Sequence, residues 1–127
     1  MNIKDVFKRT IILDVILIVL IFLSVMFESE AVTEFNNTYS NQNDMFIIIS
    51  LVYLIVYIIN LYFLYTFKKI GKQIYLILFV MGVLIVLMGG SGAYDAFDGL
   101  LDWFLSVVTG AILVFLYFTP IKKEFDK

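Results

Sequence analysis

Asp14 is the residue of this chain best suited to chemistry inside a membrane. It is the only acidic residue in the apolar run 10–27, and a carboxylate at the centre of a transmembrane helix costs about 2.5–3.5 kcal/mol on insertion scales. Because Asp14 follows Thr10 closely, its Cα should lie roughly 6 Å inside the membrane boundary. Three roles are open at that depth: an interfacial ion pair or local hydration, a proton- or cation-linked site facing the bundle interior, and a contact to a partner. The basic residues near that boundary are Lys68, Lys69, Lys72 and Lys122.

Four polar residues of the second apolar run repeat at spacings of three, four and three: Ser50, Tyr53, Tyr57 and Asn60. This spacing predicts that they share one face of a helix. Asn60 should lie about 10 Å from the inner end of that helix, a depth comparable with that of Asp14. We hypothesise that Asp14 and Asn60 face each other, so that the five residues form an intramembrane polar site. The simpler interpretation is that they only join helices, through hydrogen bonds of about 0.6 kcal/mol each.

A third group of candidate residues is acidic and lies between the apolar runs. Residues 28–44 and 91–102 contain seven acidic residues and no basic one: Glu28, Glu30, Glu34, Asp44, Asp95, Asp98 and Asp102. The last three do not follow the spacing of a calcium-binding loop, and we predict no metal site. A surface of this charge would attract a basic partner or concentrate cations.

The elements that must position these residues are four long apolar runs, residues 10–27, 45–67, 74–88 and 103–120. The chain is 62% hydrophobic with a mean hydropathy of +1.00, well above the roughly 45–50% apolar content of soluble domains. A helix of about 20 residues crosses a bilayer and satisfies its own backbone polar groups. We predict an all-α membrane protein with a single domain, residues 1–127. Its spans, at about 10–27, 45–67, 72–90 and 103–120, should form an antiparallel four-helix bundle.

The distribution of charge predicts how the chain is oriented. All nine Lys and Arg residues lie before the first run, between the second and third, or after the fourth. Cytoplasmic loops retain basic residues, so both termini should be cytoplasmic. The first run is longer than the apolar region of a signal peptide, about 7–15 residues, and we expect it to be retained. Abundant Ile, Asn, Lys, Phe and Tyr indicate an AT-rich bacterial gene, which favours the bacterial cytoplasmic (inner) membrane as the location.

The second outer connection, residues 91–102, has helical periodicity of its own. Tyr94, Phe97, Leu100 and Leu101 recur at helical spacing. The pattern predicts a short amphipathic helix on the outer membrane surface before Trp103 returns the chain to the membrane. For the first outer connection, residues 28–44, both a small cap over the bundle and a mobile loop are open.

Small residues in the third and fourth runs predict close helix packing. Gly82 lies in the third run, and Ser106 and Gly110 form a small-xxx-small pair in the fourth. Such residues let helix backbones approach each other. We favour packing within the chain over packing against a second subunit.

The absence of cysteine and histidine excludes several kinds of site. The chain cannot form a disulfide, a Cys/His zinc site, or a catalytic triad that uses a histidine base. The glycine-rich segment 89–92 lacks the Lys-Ser/Thr pair of a phosphate-binding loop. We predict that the protein is not an enzyme, has no cofactor and does not bind nucleic acid.

Two functions are compatible with these features. The first is non-enzymatic recognition, within the bilayer, of another membrane protein or a membrane-inserted toxin; in architecture the chain resembles immunity proteins and small accessory subunits. The alternative is a small proton- or cation-coupled transporter or channel that uses Asp14. In having an acid near the start of the first of four spans, the chain resembles small multidrug-resistance exporters, from which its 28–44 connection and the rest of its first span differ. A homo-oligomer is left open.

Overall fold

The computed structural model describes residues 2–40 and 43–127, and every regular element within them is helical. These residues form five α-helices: α1 (Ile3–Ser24), α2 (Glu30–Tyr39), α3 (Asp44–Tyr65), α4 (Lys69–Met88) and α5 (Ala96–Phe118). Short 3-10 helices, Val25–Phe27 and Pro120–Glu124, follow α1 and α5. The helices α1, α3, α4 and α5 are long and apolar enough to cross a membrane. The predicted all-α protein with four candidate spans is confirmed.

The long helices place the basic and the acidic connections at opposite ends of the molecule. Lys4 at the start of α1 contacts Glu124 beyond the end of α5, with Nζ and Oε2 2.8 Å apart. Ser29 before α2 contacts Asp95 before α5, with both hydrogen bonds at 2.8 Å. We call the first of these the basic end, since all nine Lys and Arg residues lie there or in the adjoining helix turns. We call the second the acidic end.

Two of the long helices extend further than the predicted spans. α1 and α5 each begin seven residues earlier, at Ile3 and Ala96. At α1 the side chain of Asn2 accepts a hydrogen bond from the backbone N–H of Lys4, which satisfies one of the free donors of the first turn. The charged residues ahead of the apolar run therefore belong to the helix.

The separate amphipathic helix predicted in the second outer connection is not formed. Its residues make the first turns of α5, which continues through Trp103 without a break. The physical reason is that the helical periodicity of the apolar residues continues in the same phase on both sides of Trp103. Leu101 before it and Val108, Ile112 and Leu116 after it lie on one buried stripe. The first outer connection contains α2, so that this segment is largely helical; its residues 41 and 42 lie outside the described residues.

The long helices pack as two pairs, α1 with α5 and α3 with α4, and α1 also touches α3. Each helix buries a narrow stripe and turns its remaining apolar side chains outward. Leu87 is 74% exposed and Phe118 84% exposed, for example. This exterior suits lipid, where the surroundings of an outward side chain are as apolar as the helix interface.

The glycines differ in how closely other atoms approach them. A Cβ added to Gly71 would lie 2.9 Å from Phe63 Cβ and 3.2 Å from the backbone nitrogen of Leu64. At Gly82 it would lie 2.7 Å from the Tyr53 hydroxyl. Both positions lie at the contact between α3 and α4. Gly110 has no neighbour within 4 Å of such an atom, so it makes no close approach within the described chain.

The substitution Gly71→Ala should therefore destabilise the protein, by about 1–3 kcal/mol, because backbone and Cβ atoms of α3 must move. Gly110→Ala is the matched control and should shift the free energy of unfolding by less than about 1 kcal/mol, in the stabilising direction. The measurement is reversible unfolding in mixed detergent micelles, followed by the fluorescence of the single tryptophan, Trp103. Equal effects of the two substitutions would contradict the close α3–α4 contact.

Candidate intramembrane polar site

Asp14 lies fully buried between the long helices, with 0% of its surface exposed. Its Oδ2 accepts a hydrogen bond of 2.9 Å from the Tyr57 hydroxyl, and its Oδ1 has no hydrogen-bond partner. The ion pairs of the described residues involve other acids, Glu124 and Asp126. The interfacial ion pair considered for Asp14 is thus not formed within this part of the chain.

A chain of hydrogen bonds leads from Asp14 through all four long helices. The hydroxyl oxygens of Tyr57 on α3 and Tyr75 on α4 lie 3.3 Å apart. The Tyr75 hydroxyl in turn donates to the backbone carbonyl of Thr109 on α5, also at 3.3 Å. The links Asp14–Tyr57 and Tyr75–Thr109 each connect one helix pair to the other.

Helical periodicity explains why Asp14 points inward. On α1 the residues Ile11, Asp14, Leu17 and Ile18 are all buried, and spacings of three and four place them on one face. Three of the four are apolar, so burying this face brings the carboxyl group with it. The apolar neighbours therefore determine the position of Asp14.

The same periodicity brings two tyrosines to the interior. Tyr57 shares its buried stripe on α3 with Asn60 and Leu64. Tyr75 lies on α4 between the buried residues Gly71 and Leu78. Sequence reasoning singled out Tyr57 but missed Tyr75, although a tyrosine at the second position of the apolar run 74–88 was a usable signal.

The other predicted site residues are only partly joined to this chain. Tyr53 stacks on Tyr57, with ring centroids 6.0 Å apart, and donates a hydrogen bond of 3.1 Å to the Leu78 carbonyl. Asn60 is 1% exposed, and neither polar atom of its side chain has a hydrogen-bond partner. Ser50 Oγ likewise has none. The residue hydrogen-bonded to Asp14 is therefore Tyr57, and the hypothesised pairing with Asn60 is not present as a hydrogen bond.

A cavity of about 510 Å³ adjoins the tyrosine pair, a size within the range of small-molecule sites, about 300–1,000 Å³. Tyr57, Tyr75 and Thr109 line it near Asp14, and Ser106 and Asp102 line it towards the acidic end. Most of the remaining wall is apolar. The two tyrosines thus lie between Asp14, which does not line the cavity, and a space that extends towards the acidic end.

Packed aromatic rings close the opposite side, at the basic end. Phe7 lies 5.8 Å from Phe67, 5.7 Å from Phe115 and 5.9 Å from Phe125, measured between ring centroids. Phe7 is 0% and Phe125 is 1% exposed. Ile11, one turn before Asp14, is also buried. We call these four rings the aromatic cluster; with Ile11 they fill the route from the basic end to Asp14.

The backbone of Phe67 adopts the left-handed conformation, with φ 55°. It ends α3 in a Schellman motif, in which Lys68 N–H bonds to the Phe63 carbonyl and Phe67 N–H to that of Leu64. A bulky residue at such a φ is strained by about 1–3 kcal/mol. The ring contacts with Phe7 and Phe125 offset that strain.

The segment after α5 reaches the aromatic cluster through Phe125 and is held there by charges. Lys4 and Lys127 hydrogen-bond to Glu124 and lower the pKa of its carboxyl group. Lys72 Nζ lies 4.0 Å from Asp126. Three helices and the C-terminal segment thus meet at the basic end.

At the acidic end, some acidic side chains accept hydrogen bonds and others are exposed. Asp95 accepts two hydrogen bonds from Ser29, and Glu28 accepts one each from Thr33 and Asn36. Asn36 also exchanges hydrogen bonds with the backbone of Ala93 at 2.9 and 3.2 Å. These bonds tie α2 to the segment before α5. The side chains of Glu30, Glu34, Asp44 and Asp102 are exposed, and that of Asp98 is partly buried.

The chain matches no protein-family model, no curated protein and no solved structure. Its function is therefore inferred from the chemistry of the sites themselves.

Removing one ring of the aromatic cluster should expose the route to Asp14. A Phe→Ala substitution in a core lowers the free energy of unfolding by about 3–5 kcal/mol. A loss of about 1.4 kcal/mol already raises the equilibrium constant for opening tenfold. We expect Phe125→Ala to raise the labelling rate of a cysteine placed at position 11 by at least about tenfold. The chain has no cysteine of its own, so a water-soluble thiol reagent reports on this position alone.

Phe118→Ala is the matched control, because this ring is 84% exposed and lies outside the cluster. It should leave the labelling rate at position 11 unchanged, with equal helix content by circular dichroism in both variants. Similar labelling in the two variants would contradict closure by the aromatic cluster.

Proposed function

We propose that this protein crosses a bacterial cytoplasmic membrane four times as an antiparallel bundle, with its basic end and both termini in the cytoplasm. The proposal is supported by the positive-inside rule together with the two-ended charge distribution. Two contacts agree with it. Lys4 and Glu124 join the two terminal segments, which both contain basic residues, and Ser29 and Asp95 join the two connections that contain none.

Within this frame, the geometry favours a small non-enzymatic transporter or channel whose ion-coupling site is Asp14. This proposal is based on the carboxyl group of Asp14, which is fully buried and has no ion pair among the described residues. It is hydrogen-bonded to Tyr57, which lines the cavity. An ionisable residue inside a membrane is costly and usually marks a path for ions or substrates.

The two sides of Asp14 are unequal, which suits transport by alternating access. Towards the acidic end lie Tyr57, Tyr75 and the cavity; towards the basic end lie Ile11 and the aromatic cluster. In the proposed orientation the site communicates with the outer side and is closed to the cytoplasm. Transport would require the aromatic cluster to open. Phe67 has a strained backbone, and its relaxation would move one ring out of the cluster.

A second candidate function is recognition of another membrane protein or a membrane-inserted toxin at the acidic end. The observation that favours it is the anchoring of α2 through Ser29, Asn36, Ala93 and Asp95. This anchoring holds Glu30 and Glu34 on a defined surface rather than on a loose loop. A partner for this surface would be basic, since opposite charges steer association.

The transport proposal predicts that Asp14→Asn abolishes ion flux into proteoliposomes, because an amide cannot take up and release a proton or balance a cation. Flux is measured with an entrapped pH-sensitive dye after an external acid pulse, in sodium and in potassium buffers. Asp5→Asn is the matched control: it removes an exposed acid from the same helix and should leave the rate unchanged. Absence of flux in the unmodified protein would rule out the transport proposal.

The recognition proposal predicts a membrane protein that crosslinks to the unmodified chain in cells and is lost when Glu30 and Glu34 are both changed to Gln. The control is the pair Asp5→Asn and Asp126→Asn, which removes two charges at the basic end and should retain the partner. If no specific protein is captured, or if both double variants capture it equally, the acidic surface is not the recognition site.

A further inference from the structure

The hydrogen-bond chain between Asp14 and Thr109 contains three contacts but only two hydroxyl groups that can supply hydrogens. Each tyrosine hydroxyl has one hydrogen to donate. If Tyr57 donates to an ionised Asp14 and Tyr75 donates to the Thr109 carbonyl, no hydrogen is left for the 3.3 Å contact between the two hydroxyl oxygens.

One additional proton on Asp14 completes the chain. A neutral Asp14 donates to the Tyr57 oxygen, Tyr57 donates to the Tyr75 oxygen, and Tyr75 donates to the Thr109 carbonyl. Three hydrogens then serve three contacts. Buried polar groups in proteins are almost always hydrogen-bonded, so this arrangement of donors and acceptors is the one with a proton on the carboxyl group.

We propose that the ion handled at Asp14 is a proton, and that Tyr57 and Tyr75 pass it between the cavity and the Asp14 carboxylate. This inference rests on the proposed transport function and names its coupling ion and its path. It follows from the geometry of the four groups: one end of the chain is a buried carboxyl oxygen, and at the other end is Tyr75, a residue of the cavity wall.

The transfer conserves protons at every group. In the ionised state the Tyr75 hydroxyl first turns its hydrogen from the Thr109 carbonyl to the Tyr57 oxygen. A proton that arrives from the cavity then binds the Tyr75 oxygen, the original Tyr75 hydrogen moves to the Tyr57 oxygen, and the original Tyr57 hydrogen moves to Asp14 Oδ2. Both tyrosines end as neutral hydroxyls, and the carboxylate ends as a carboxylic acid. The reverse sequence returns the proton to the cavity.

The surroundings of Asp14 suit a proton better than a metal or alkali cation. Ca²⁺ and Mg²⁺ take six or more oxygen ligands, whereas the Asp14 side chain has a single hydrogen-bond partner, the Tyr57 hydroxyl. Within residues 2–40 and 43–127 no group of three acidic side chains could hold a metal ion.

In the described part of the chain, the titratable groups that face Asp14 are all tyrosines. Tyr53 and Tyr57 come from α3 and Tyr75 from α4. From α5 the chain receives only the Thr109 backbone carbonyl. Among the described residues no Lys or Arg pairs with Asp14, so protonation is the available means of neutralising its charge.

The test compares Tyr75→Phe with Tyr117→Phe in proteoliposomes and by infrared spectroscopy. Both substitutions remove a tyrosine hydroxyl that donates to a backbone carbonyl, Tyr75 to Thr109 and Tyr117 to Lys72, but Tyr117 lies outside both the chain and the cavity wall. Proton flux after an acid pulse should fall at least about tenfold in Tyr75→Phe, stay near the unmodified rate in Tyr117→Phe, and be equal in sodium and potassium buffers. Tyr57→Phe breaks the chain one link nearer Asp14 and should behave like Tyr75→Phe.

The infrared measurement follows the carbonyl stretch of a protonated Asp14, assigned by its loss in Asp14→Asn. Transfer into D₂O should shift this band slowly in Tyr75→Phe and at the unmodified rate in Tyr117→Phe, an effect that a purely structural role of Tyr75 would not produce. Flux that follows sodium or potassium, absence of the band, or equal behaviour of Tyr75→Phe and Tyr117→Phe would overturn the proton relay. A band with normal exchange but no flux of any ion would support the relay and refute the transport function instead.

Discussion

The two helix pairs of this protein are joined through their interior by hydrogen bonds to buried hydroxyl groups. Lipid tails are as apolar as leucine side chains, so no hydrophobic force brings α1 and α5 onto α3 and α4; packing and polar contacts must do so. The Asp14–Tyr57 bond connects α1 to α3, and the Tyr75–Thr109 bond connects α4 to α5. The position of the polar site and the cohesion of the fold therefore depend on the same few atoms.

This arrangement explains why the interior is open on one side and filled on the other. Towards the acidic end the interior contains the cavity, whose wall includes Ser106 and Asp102. Near the basic end the aromatic cluster fills the interior, and Phe125 is held there by the ion pair of Glu124 with Lys4.

Particular residues illustrate how far sequence reasoning reached. The four spans were recognised because a long apolar run has few alternatives to a membrane helix, and Asp14 and Tyr57 were selected because polar residues are rare in such runs. Their mutual hydrogen bond was not predicted, since the depth argument paired Asp14 with Asn60. Counting residues at a rise of 1.5 Å each locates a side chain along the membrane normal only to within about one helical turn. Tyr57 and Asn60 are one turn apart, so this count does not distinguish them. The sequence does not predict the continuity of α5, because a tryptophan such as Trp103 is typical of a membrane interface, whereas the helical periodicity continues through it.

The sequence by itself determined the class of element, the approximate limits of the four apolar helices and the separation of basic from acidic connections. These properties depend on composition and local periodicity, which act within one helix. Only the tertiary structure decided which helices pair, that Tyr75 and the Thr109 carbonyl complete the chain begun by Asp14, and that Phe125 folds back onto Phe7. Those contacts join residues far apart in the chain, and they form because side-chain volumes and the rotation of each helix about its axis satisfy all four helices at once.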